Sequence, residues 1–218
     1  MSLLLTPVTI GSKEVKNRVV FTAHGSFLDF YRPGIPGDQY IAYEERRAEG
    51  GTGLIILQTM HVHRSSHALG HYTYDPDDLR PKLRRMADAL HGHGVVVVQQ
   101  LNHFGAQFRS DARRNLEPLW GFQDMLSGEG EAVHEMTDDE VEEIVEAYVD
   151  TAVLCIESGI DGVELHCTHG YLLQQSFSPW GNSKREGRWR EPLAFLRAVI
   201  AGIRVRSGRD PIVGLRVS

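Results

Sequence analysis

The sequence has little cysteine, no long apolar run and no excess of positive charge. Its 218 residues include two cysteines, Cys155 and Cys167, which are too few for a disulfide framework and fit a reducing cytoplasm best. No apolar stretch approaches the about 20 residues that span a bilayer. The N-terminus also lacks the charged and apolar segments of a signal peptide. We therefore predict a cytoplasmic protein without a membrane partner.

The charge balance argues against nucleic acid as a partner. Twenty-three basic residues stand against 29 acidic ones, which leaves a net charge of -6, whereas nucleic-acid binding requires a basic surface. A local basic cluster, Lys184, Arg185, Arg188 and Arg190, is interpreted as a solvated face. A small molecule is the expected partner, and the sequence leaves homo-oligomerisation open.

Eleven histidines raise the question of a metal site. His67 and His71 have the four-residue spacing of zinc ligands on a helix, and His61 and His63 precede them. No glutamate flanks His67 as the zinc motif requires, and Gly70 disfavours a helix there. The sequence therefore predicts no metal site.

Five short apolar runs are typical of buried strands. Several are continuous rather than alternating, which indicates strands covered on both faces, as in a parallel sheet. The runs are Val19-Val20-Phe21, Leu54-Ile55-Ile56-Leu57, Val95-Val96-Val97-Val98, Val163-Glu164-Leu165 and Ile212-Val213-Gly214-Leu215.

Amphipathic helices are predicted between these runs. The clearest covers 137–158, where Thr137 and Glu140 form a capping-box pattern. Further helices are expected over 78–91, from Pro192 onward and, with a weaker pattern, over 38–49. Residues 101–136 are predicted as a long loop, which in a compact domain is usually functional or disordered.

Strands that alternate with helices predict an α/β fold with parallel crossovers. Both an open doubly wound sheet and part of a (β/α)8 TIM barrel fit this order. The first strand is followed by Thr22-Ala23-His24-Gly25 and not by the Gly-x-Gly-x-x-Gly of a dinucleotide-binding sheet, which favours the barrel. Because a barrel has eight strands, residues 1–218 are expected to be the N-terminal part of one barrel domain, with its remaining strands beyond residue 218.

Polar groups follow each of the five predicted strands, at the edge where ligands bind in both architectures. A shared pocket would require such an arrangement at every strand. The segments are Thr22–Gly25, Gln58–His61, Gln99–His103, His166–His169 and Arg216–Ser218.

The segment after the fourth strand carries the strongest chemical pattern. His166 and His169 lie three residues apart and Tyr171 follows, so the three rings would converge if the strand ended at His166 and a helical turn followed. Two imidazoles could polarise a carbonyl or nitro oxygen, and a phenol could donate a proton to a developing carbanion. The spacing alone equally allows polar turn residues that bind backbone groups.

Two single residues add weaker indications. Gln100 ends an all-valine strand, and its carboxamide suits the imide edge of a flat heterocycle, although a buried glutamine can also fix a loop. Arg216 follows an apolar strand, so its charge must be paired or face an anion. Its alternative partner is Glu164 on the neighbouring strand.

Taken in order, the motifs resemble those of the old yellow enzyme family of FMN-dependent NAD(P)H oxidoreductases. The resemblance extends over essentially the whole chain, and the ordered set is far more specific than any one piece. The matching stretches are Leu5–Gly11, Lys16–Val20, Gln100–Gly105, Asp161–Leu173 with Ser178, Pro179 and Asn182 after it, and Gly214–Ser218.

The resemblance implies a TIM barrel that holds FMN at its C-terminal mouth. His166 and His169 would bind the oxygen of a substrate or nicotinamide, and Tyr171 would be the proton donor. The reaction would be ping-pong: NADPH or NADH reduces FMN, which then passes a hydride to an activated alkene or a similar acceptor. The flavin would be lined by Ala23, His24, Gly25 and Thr59, with Gln100 at its pyrimidine edge and Arg216 at its N1–O2 side.

The sequence departs from the family pattern at several places. Ala23 and Gly25 stand where many relatives have a proline and then a threonine or cysteine, so the side chain that usually tunes the flavin potential is missing and FMN is expected to bind non-covalently. The stretch Asn182–Arg188 differs from the Asn-x-Arg stretch of the family. Since the later strands supply the phosphate grip in the family, residues 1–218 alone are expected to bind FMN poorly and to be inactive.

Two alternatives stay open. The first is a multidomain flavoenzyme similar to an N-demethylase or a 2,4-dienoyl-CoA reductase, with an iron–sulfur cluster and FAD in domains that follow the barrel. The second, of a different class, is a truncated barrel without catalytic activity.

Overall fold

The computed structural model describes residues 2–26, 28, 36–66, 76–107 and 117–218. Within these ranges the strands form one five-stranded sheet, one three-stranded sheet and one hairpin. The five-stranded sheet, called the main sheet below, positions the functional site.

The main sheet is parallel. Its strands are β3 (Val20–Phe21), β4 (Leu54–His61), β5 (Val96–Asn102), β9 (Gly162–Cys167) and β10 (Ile212–Val217). Their order is β10-β9-β5-β4-β3, which places each strand beside the one that precedes it in the alternating pattern, as right-handed crossovers require. All five predicted strands are confirmed, and β4 and β5 continue through the polar residues that the prediction left outside.

The predicted helices are confirmed with small shifts at their ends. The Thr137 Oγ1 accepts a hydrogen bond from the amide of Glu140 (3.2 Å), and the Glu140 carboxylate accepts one from the amide of Thr137 (2.7 Å), which is the capping box expected from the sequence. No helix in the described ranges is long and apolar enough to cross a membrane. The helices are α1 (Asp38–Glu49), α2 (Pro76–His91), α3 (Asp138–Glu157), α4 (Leu172–Phe177) and α5 (Ala194–Ser207).

A hairpin packs at the amino-terminal end of the main sheet. It consists of β1 (Val8–Ile10) and β2 (Lys13–Val15), which pair in antiparallel fashion, and β3 is the first parallel strand. Val15 is buried in a small apolar cluster with Leu54 and Val96 of the main sheet. The hairpin therefore covers this end of the sheet with apolar side chains.

The opposite end of the same sheet face is polar. Side chains two residues apart in a strand share a face, and along β5 the valines at 96 and 98 give way to Gln100. Gln100 lies opposite Glu164 on β9, and the last pair of this face is His166 with Arg216 on β10. These four residues define what we call the polar rim, at the carboxyl ends of the strands.

The predicted loop over 101–136 is partly wrong. It contains a small three-stranded sheet, in which β6 (Leu119–Gly121) pairs in parallel and β7 (Met125–Leu126) in antiparallel fashion with β8 (Ala132–Glu135). Strands of two to four residues are too short to show a period of alternation, which is why the sequence pattern missed them. Residues 108–116 lie outside the described residues.

Arg185 corrects the interpretation of the basic cluster as a solvated face. Its side chain is buried, and it donates hydrogen bonds to the carbonyl oxygen of Met136 (2.7 Å) and to the carboxylate of Asp138 (2.6 Å). Arg185 therefore fixes the start of α3, whereas Arg188 is exposed and pairs with Glu142.

Gly162→Ala is expected to destabilise the main sheet. A methyl group at this position would overlap the carbonyl oxygen of Ile212 and would lie 2.6 Å from its nitrogen, so the backbone of β10 would have to move. We expect a loss of about 3 kcal/mol in the free energy of unfolding, at the upper end of overpacking costs, measured by denaturant titration. Gly128→Ala is the matched control, because nothing lies within 4 Å of its new methyl group; equal unfolding midpoints for the two variants would contradict the close approach of β9 and β10.

Candidate functional site

The turn after β9 brings three predicted site residues together. The ring centroids of His166 and His169 lie 4.9 Å apart and those of His166 and Tyr171 lie 5.0 Å apart, both edge to face. The third pair, His169 and Tyr171, is separated by 6.0 Å. His166 is buried and His169 is exposed, so the cluster leads from the polar rim to the surface. The three rings can therefore contact one small molecule, while their roles stay predictions.

The backbone of this turn is not the helical turn that the sequence suggested. The strand continues to Cys167, and α4 begins only at Leu172. Between them His169 has a φ of +61° and Gly170 one of +73°, in the left-handed region that glycine tolerates and other residues rarely adopt. A side chain at position 170 would also lie 2.5 Å from the Gln107 Nε2. Holding His169 in a strained conformation costs free energy, which is typical of residues that a site must aim.

Gln175 fixes the turn against the end of β5. Its Nε2 donates to the carbonyl oxygens of Gly170 (2.5 Å) and Phe104 (3.2 Å), and its Oε1 accepts from the amide of Ala106 (3.1 Å). The Phe104 ring in turn lies 5.0 Å from the Tyr171 ring. Sequence reasoning missed Gln175, because one glutamine inside a helix carries no signal of its own.

Burial shifts the pKa values of His166 and Tyr171 in this turn. Burial lowers the pKa of the His166 imidazole to about 4, and the charges of His169 and Arg216 act in the same direction. Burial also raises the pKa of the Tyr171 hydroxyl. At neutral pH His166 is therefore a neutral hydrogen-bonding group and Tyr171 is a protonated donor.

The depressed pKa of His166 predicts a pH dependence of stability. Because the folded state disfavours the charged imidazole, the unfolded chain binds more protons below its ordinary pKa of 6.5. Stability is therefore complete above pH 6.5 and is lost as the pH falls toward 4. We expect His166→Asn to lose less free energy of unfolding than the unmodified protein between pH 6.5 and 4, in denaturant titrations at each pH. Parallel losses in both would show that His166 is not buried in its neutral form.

Gln100 and Glu164 form a buried hydrogen-bonded pair, and Glu164 precedes His166 by two residues on the same face of β9. The Gln100 Nε2 donates to the Glu164 Oε1 at 2.7 Å. Burial raises the pKa of the Glu164 carboxyl, against the opposing effects of the Gln100 hydrogen bond and the Arg216 charge. Gln100 thus keeps its carbonyl oxygen and its second N–H for another partner.

A β-bulge places Thr59 beside this pair. The register between β4 and β5 shifts between Leu57 and Met60, so two residues of β4, Gln58 and Thr59, stand opposite Gln100. The Gln58 side chain accepts hydrogen bonds from Ser26 in the segment after β3. The Thr59 hydroxyl is buried and has no hydrogen-bond partner among the described residues. An unpaired buried hydroxyl at a bulge is typical of a ligand site.

Arg216 is the charged member of the polar rim. It is half-buried, and in the described part of the chain its guanidinium makes no hydrogen bond or ion pair. The alternative ion pair with Glu164 is therefore not formed, and Arg216 acts on Glu164 and His166 only through its charge. An unpaired guanidinium at this position suits an electron-rich edge of a ligand.

The segment after β3 offers backbone groups to a ligand. The His24 Nε2 lies 2.8 Å from the Tyr43 hydroxyl of α1, and its Nδ1 lies 3.3 Å from the carbonyl oxygen of Thr22. The imidazole is therefore held by its own loop and by α1. Ala23 has only a methyl group and Gly25 has no side chain, so a ligand at this segment would meet mainly backbone.

A buried chain of serine and histidine side chains lies near the polar rim and was also missed. The Ser65 Oγ lies 2.7 Å from the His63 Nδ1 and 2.8 Å from the His103 Nε2, and the His63 Nε2 lies 2.9 Å from a Glu143 carboxylate oxygen. Burial lowers the pKa of His63, against the opposing effect of its hydrogen bond to the Glu143 carboxylate. These hydrogen-bonded side chains connect the segments after β4 and β5 to α3, which is a structural role.

The histidines considered for a metal site have other environments. The His61 Nδ1 lies 3.1 Å from the Ser66 Oγ, and His63 belongs to the chain just described. His67 and His71 lie outside the described residues. Within the described ranges, no three His, Cys, Asp or Glu side chains are grouped so that they could hold a metal ion.

Comparison with known proteins identifies the family. The model of the NADH:flavin oxidoreductase / NADH oxidase family matches residues 3–218. The chain belongs to this family. The resemblance deduced from the ordered motifs is thereby confirmed, and flavin and NADH or NADPH are the cofactors that the family uses.

Curated relatives of this NADH:flavin oxidoreductase family member are longer than the chain. A metal reductase from Desulforamulus reducens is 32% identical over 222 residues, which cover 100% of this chain and 33% of that protein. An N,N-dimethylglycine/sarcosine dehydrogenase from Chromohalobacter salexigens is 30% identical over 228 residues, which cover 98% of this chain and 32% of that protein. The chain thus spans about a third of the length of these relatives.

A solved structure shows the fold. The old yellow enzyme from Trypanosoma cruzi superimposes with a TM-score of 0.85 at 24% identity, over 98% of this chain and 65% of that one. The main sheet and its helices are therefore part of a (β/α)8 TIM barrel, with five of the parallel strands in this chain. The fold prediction is confirmed.

The polar rim fits FMN, the flavin of this family. The imide edge of a flavin presents one N–H between two carbonyl oxygens, which matches the free carbonyl oxygen and the second N–H of Gln100. The unpaired hydroxyl of Thr59 offers a further hydrogen bond, and the charge of Arg216 would stabilise negative charge on a reduced flavin.

Proposed function

We propose that this chain carries the substrate-binding half of an FMN site, in an NAD(P)H oxidoreductase that reduces an activated alkene by ping-pong hydride transfer. The observation that carries the proposal is the cluster of His166, His169 and Tyr171 at the same strand ends as Gln100 and Arg216. When bound, FMN would take a hydride from NADPH or NADH and pass it to the acceptor.

The two imidazoles would bind the acceptor. N–H groups of His166 and His169 would donate hydrogen bonds to its carbonyl or nitro oxygen and so withdraw electrons from the conjugated double bond. Neutral His166 suits this role, since its pKa of about 4 keeps it uncharged in a buried place. The strained backbone of His169 would aim the second imidazole at the same oxygen.

Tyr171 would supply the proton. Hydride addition to one alkene carbon leaves negative charge on the other, and a hydroxyl beside it can protonate that carbon. The raised pKa of Tyr171 keeps the hydroxyl protonated at neutral pH. The turn contacts to Phe104 would hold the phenol in place.

The flavin would be held non-covalently. Gln100 would bind its imide edge, Arg216 would face its N1–O2 side, and Thr59 with the backbone of Ala23–Gly25, His24 included, would line the ring. Gly25 has no side chain that could form a covalent bond with the flavin.

We further propose that residues 1–218 are one part of a single barrel domain. The old yellow enzyme that shares the fold is longer, since this chain covers 65% of it. Under this proposal other residues of the same domain would bind the phosphate, and residues 1–218 alone would take up little FMN. The experiments below therefore use the complete polypeptide that carries these residues.

A second candidate function is oxidative N-demethylation or a related reaction in a multidomain flavoenzyme. The observation that favours it is the match to an N,N-dimethylglycine/sarcosine dehydrogenase about three times the length of this chain. Iron–sulfur and FAD groups in further domains would belong to this candidate.

Anaerobic half-reactions separate the two candidates. Under the leading proposal, 2-cyclohexen-1-one reoxidises the NADPH-reduced protein in the absence of oxygen. Double-reciprocal plots of initial rate against enone concentration, each at a fixed NADPH concentration, are parallel. Reduction of the oxidised flavin by sarcosine, with no reoxidation by the enone, would replace the leading proposal with the second.

A further inference from the structure

The hydrogen bond between Gln100 and Glu164 restricts the Gln100 amide to one of its two flipped orientations. Both side chains are buried, with 4% and 9% of their surface exposed, and the Nε2–Oε1 distance is 2.7 Å. An ionised carboxylate accepts hydrogen bonds and cannot donate them. The nitrogen of Gln100 must therefore face Glu164, because a reversed amide would place two acceptors against each other in a buried place.

Two groups near Glu164 stabilise its charged form against the effect of burial, and the neighbouring strand leaves it room. The residue opposite Glu164 on β10 is Gly214, which has no side chain to fill the space. The Arg216 charge and the Gln100 N–H both lower the pKa of the Glu164 carboxyl, against the effect of burial. The carboxylate thus accepts a hydrogen bond from the Gln100 amide and feels the charge of Arg216, whose guanidinium makes no hydrogen bond or ion pair among the described residues.

We propose that Glu164 is a positioning residue of the flavin site. It turns the Gln100 amide so that the carbonyl oxygen and the second N–H face the flavin imide edge, and its negative charge offsets part of the Arg216 charge. This inference rests on the proposed function, which places FMN at the polar rim. Glu164 itself does not touch the flavin in this arrangement.

A purely structural role for Glu164 predicts different behaviour. If Glu164 only stabilised the sheet, its loss would lower stability and would weaken FMN binding independently of Gln100. If Glu164 acts on FMN affinity through Gln100, its effect on that affinity must disappear once the Gln100 amide is gone, because there is then nothing to orient. The coupling between Glu164 and Gln100 in FMN affinity therefore distinguishes the two roles.

The experiment measures FMN binding to the complete polypeptide after the flavin has been removed. Binding is followed by the quenching of flavin fluorescence in Glu164→Leu, Gln100→Ala and the double variant. We expect each single change to weaken binding about 10-fold, as for one or two lost hydrogen bonds, and the double variant to bind within about 3-fold of Gln100→Ala. Effects that multiply to about 100-fold in the double variant would overturn the proposal.

A nearly isosteric variant tests the charge. Glu164→Gln keeps the volume and a hydrogen-bonding group but removes the negative charge near Arg216, so the reduction potential of bound FMN should rise. Glu157→Gln is the matched control, since Glu157 is exposed and pairs with Arg80 on the outer surface of the helices. Equal potentials in Glu164→Gln and the unmodified protein would overturn the charge role, and thermal unfolding checks that each variant folds.

The outcomes separate this inference from the proposed function. If the unmodified polypeptide takes up no FMN, the proposed function fails and this inference fails with it. If it takes up FMN and the Glu164 and Gln100 effects are independent, only the inference about Glu164 fails.

Discussion

Tyr171→Phe is expected to slow the reoxidation of the reduced protein by an activated alkene about 10²- to 10⁴-fold, the usual contribution of a positioned acid. The phenyl ring keeps the edge-to-face contacts with His166 and Phe104, both at 5.0 Å between ring centroids, so the turn should keep its shape. Only the hydroxyl that we propose as the proton donor is removed. Stopped-flow absorbance of the flavin after mixing the reduced protein with 2-cyclohexen-1-one measures this rate.

Reoxidation by ferricyanide is the matched control for Tyr171→Phe. Ferricyanide takes electrons one at a time and needs no proton on carbon, so its rate should not change. Reduction by NADPH should also stay the same. An unchanged enone rate, or an equal slowing with both acceptors, would contradict the assignment of Tyr171 as proton donor.

The double change His166→Ala with His169→Ala is expected to weaken the binding of a phenol about 100-fold while the flavin content survives. Under the proposed function each imidazole would contribute one hydrogen bond to the ligand oxygen, at roughly 1–1.5 kcal/mol apiece, and two such bonds would amount to about two orders of magnitude in affinity. His166 is the last residue of the polar rim on β9 and His169 is exposed in the turn after it, whereas Gln100 and Thr59, which would hold the flavin, are on β5 and β4. Titration with a para-substituted phenol, followed by the visible absorbance of the flavin, measures the affinity.

His134→Ala is the matched control for the histidine pair. His134 lies on β8 and pairs with Glu140 at the start of α3, so its loss removes an imidazole without touching the turn after β9. Phenol affinity should be unchanged in this variant. Loss of FMN from the double variant would show that His166 and His169 bind the cofactor and not the substrate.

The parts of the structure that depend on repeated pattern were predictable from the sequence. Short apolar runs, several of them continuous, predicted the five parallel strands, and the capping pattern of Thr137 and Glu140 predicted the start of α3. The convergence of polar groups followed from topology, since carboxyl ends of parallel strands meet at one edge. The spacing of His166, His169 and Tyr171 after one strand predicts that the three rings lie near one another, and they do.

The parts that depend on single backbone events or long-range contacts were not predictable. The bulge that aims Thr59 depends on how β4 pairs with β5, and the positive φ of His169 gives no signal in residue type. The Gln175 contacts join residues about 70 positions apart. Arg185 looked like a surface residue because its carbonyl and carboxylate partners come from a different segment.

The visible spectrum of the complete polypeptide, titrated with NADPH in the absence of oxygen, tests the central claim most directly. Absorbance bands of oxidised flavin should be present in the purified protein and should bleach as NADPH is added. A protein that takes up FMN but is not bleached by NADPH or NADH would contradict the oxidoreductase function. A colourless protein that takes up no added FMN would instead support a barrel without catalytic activity.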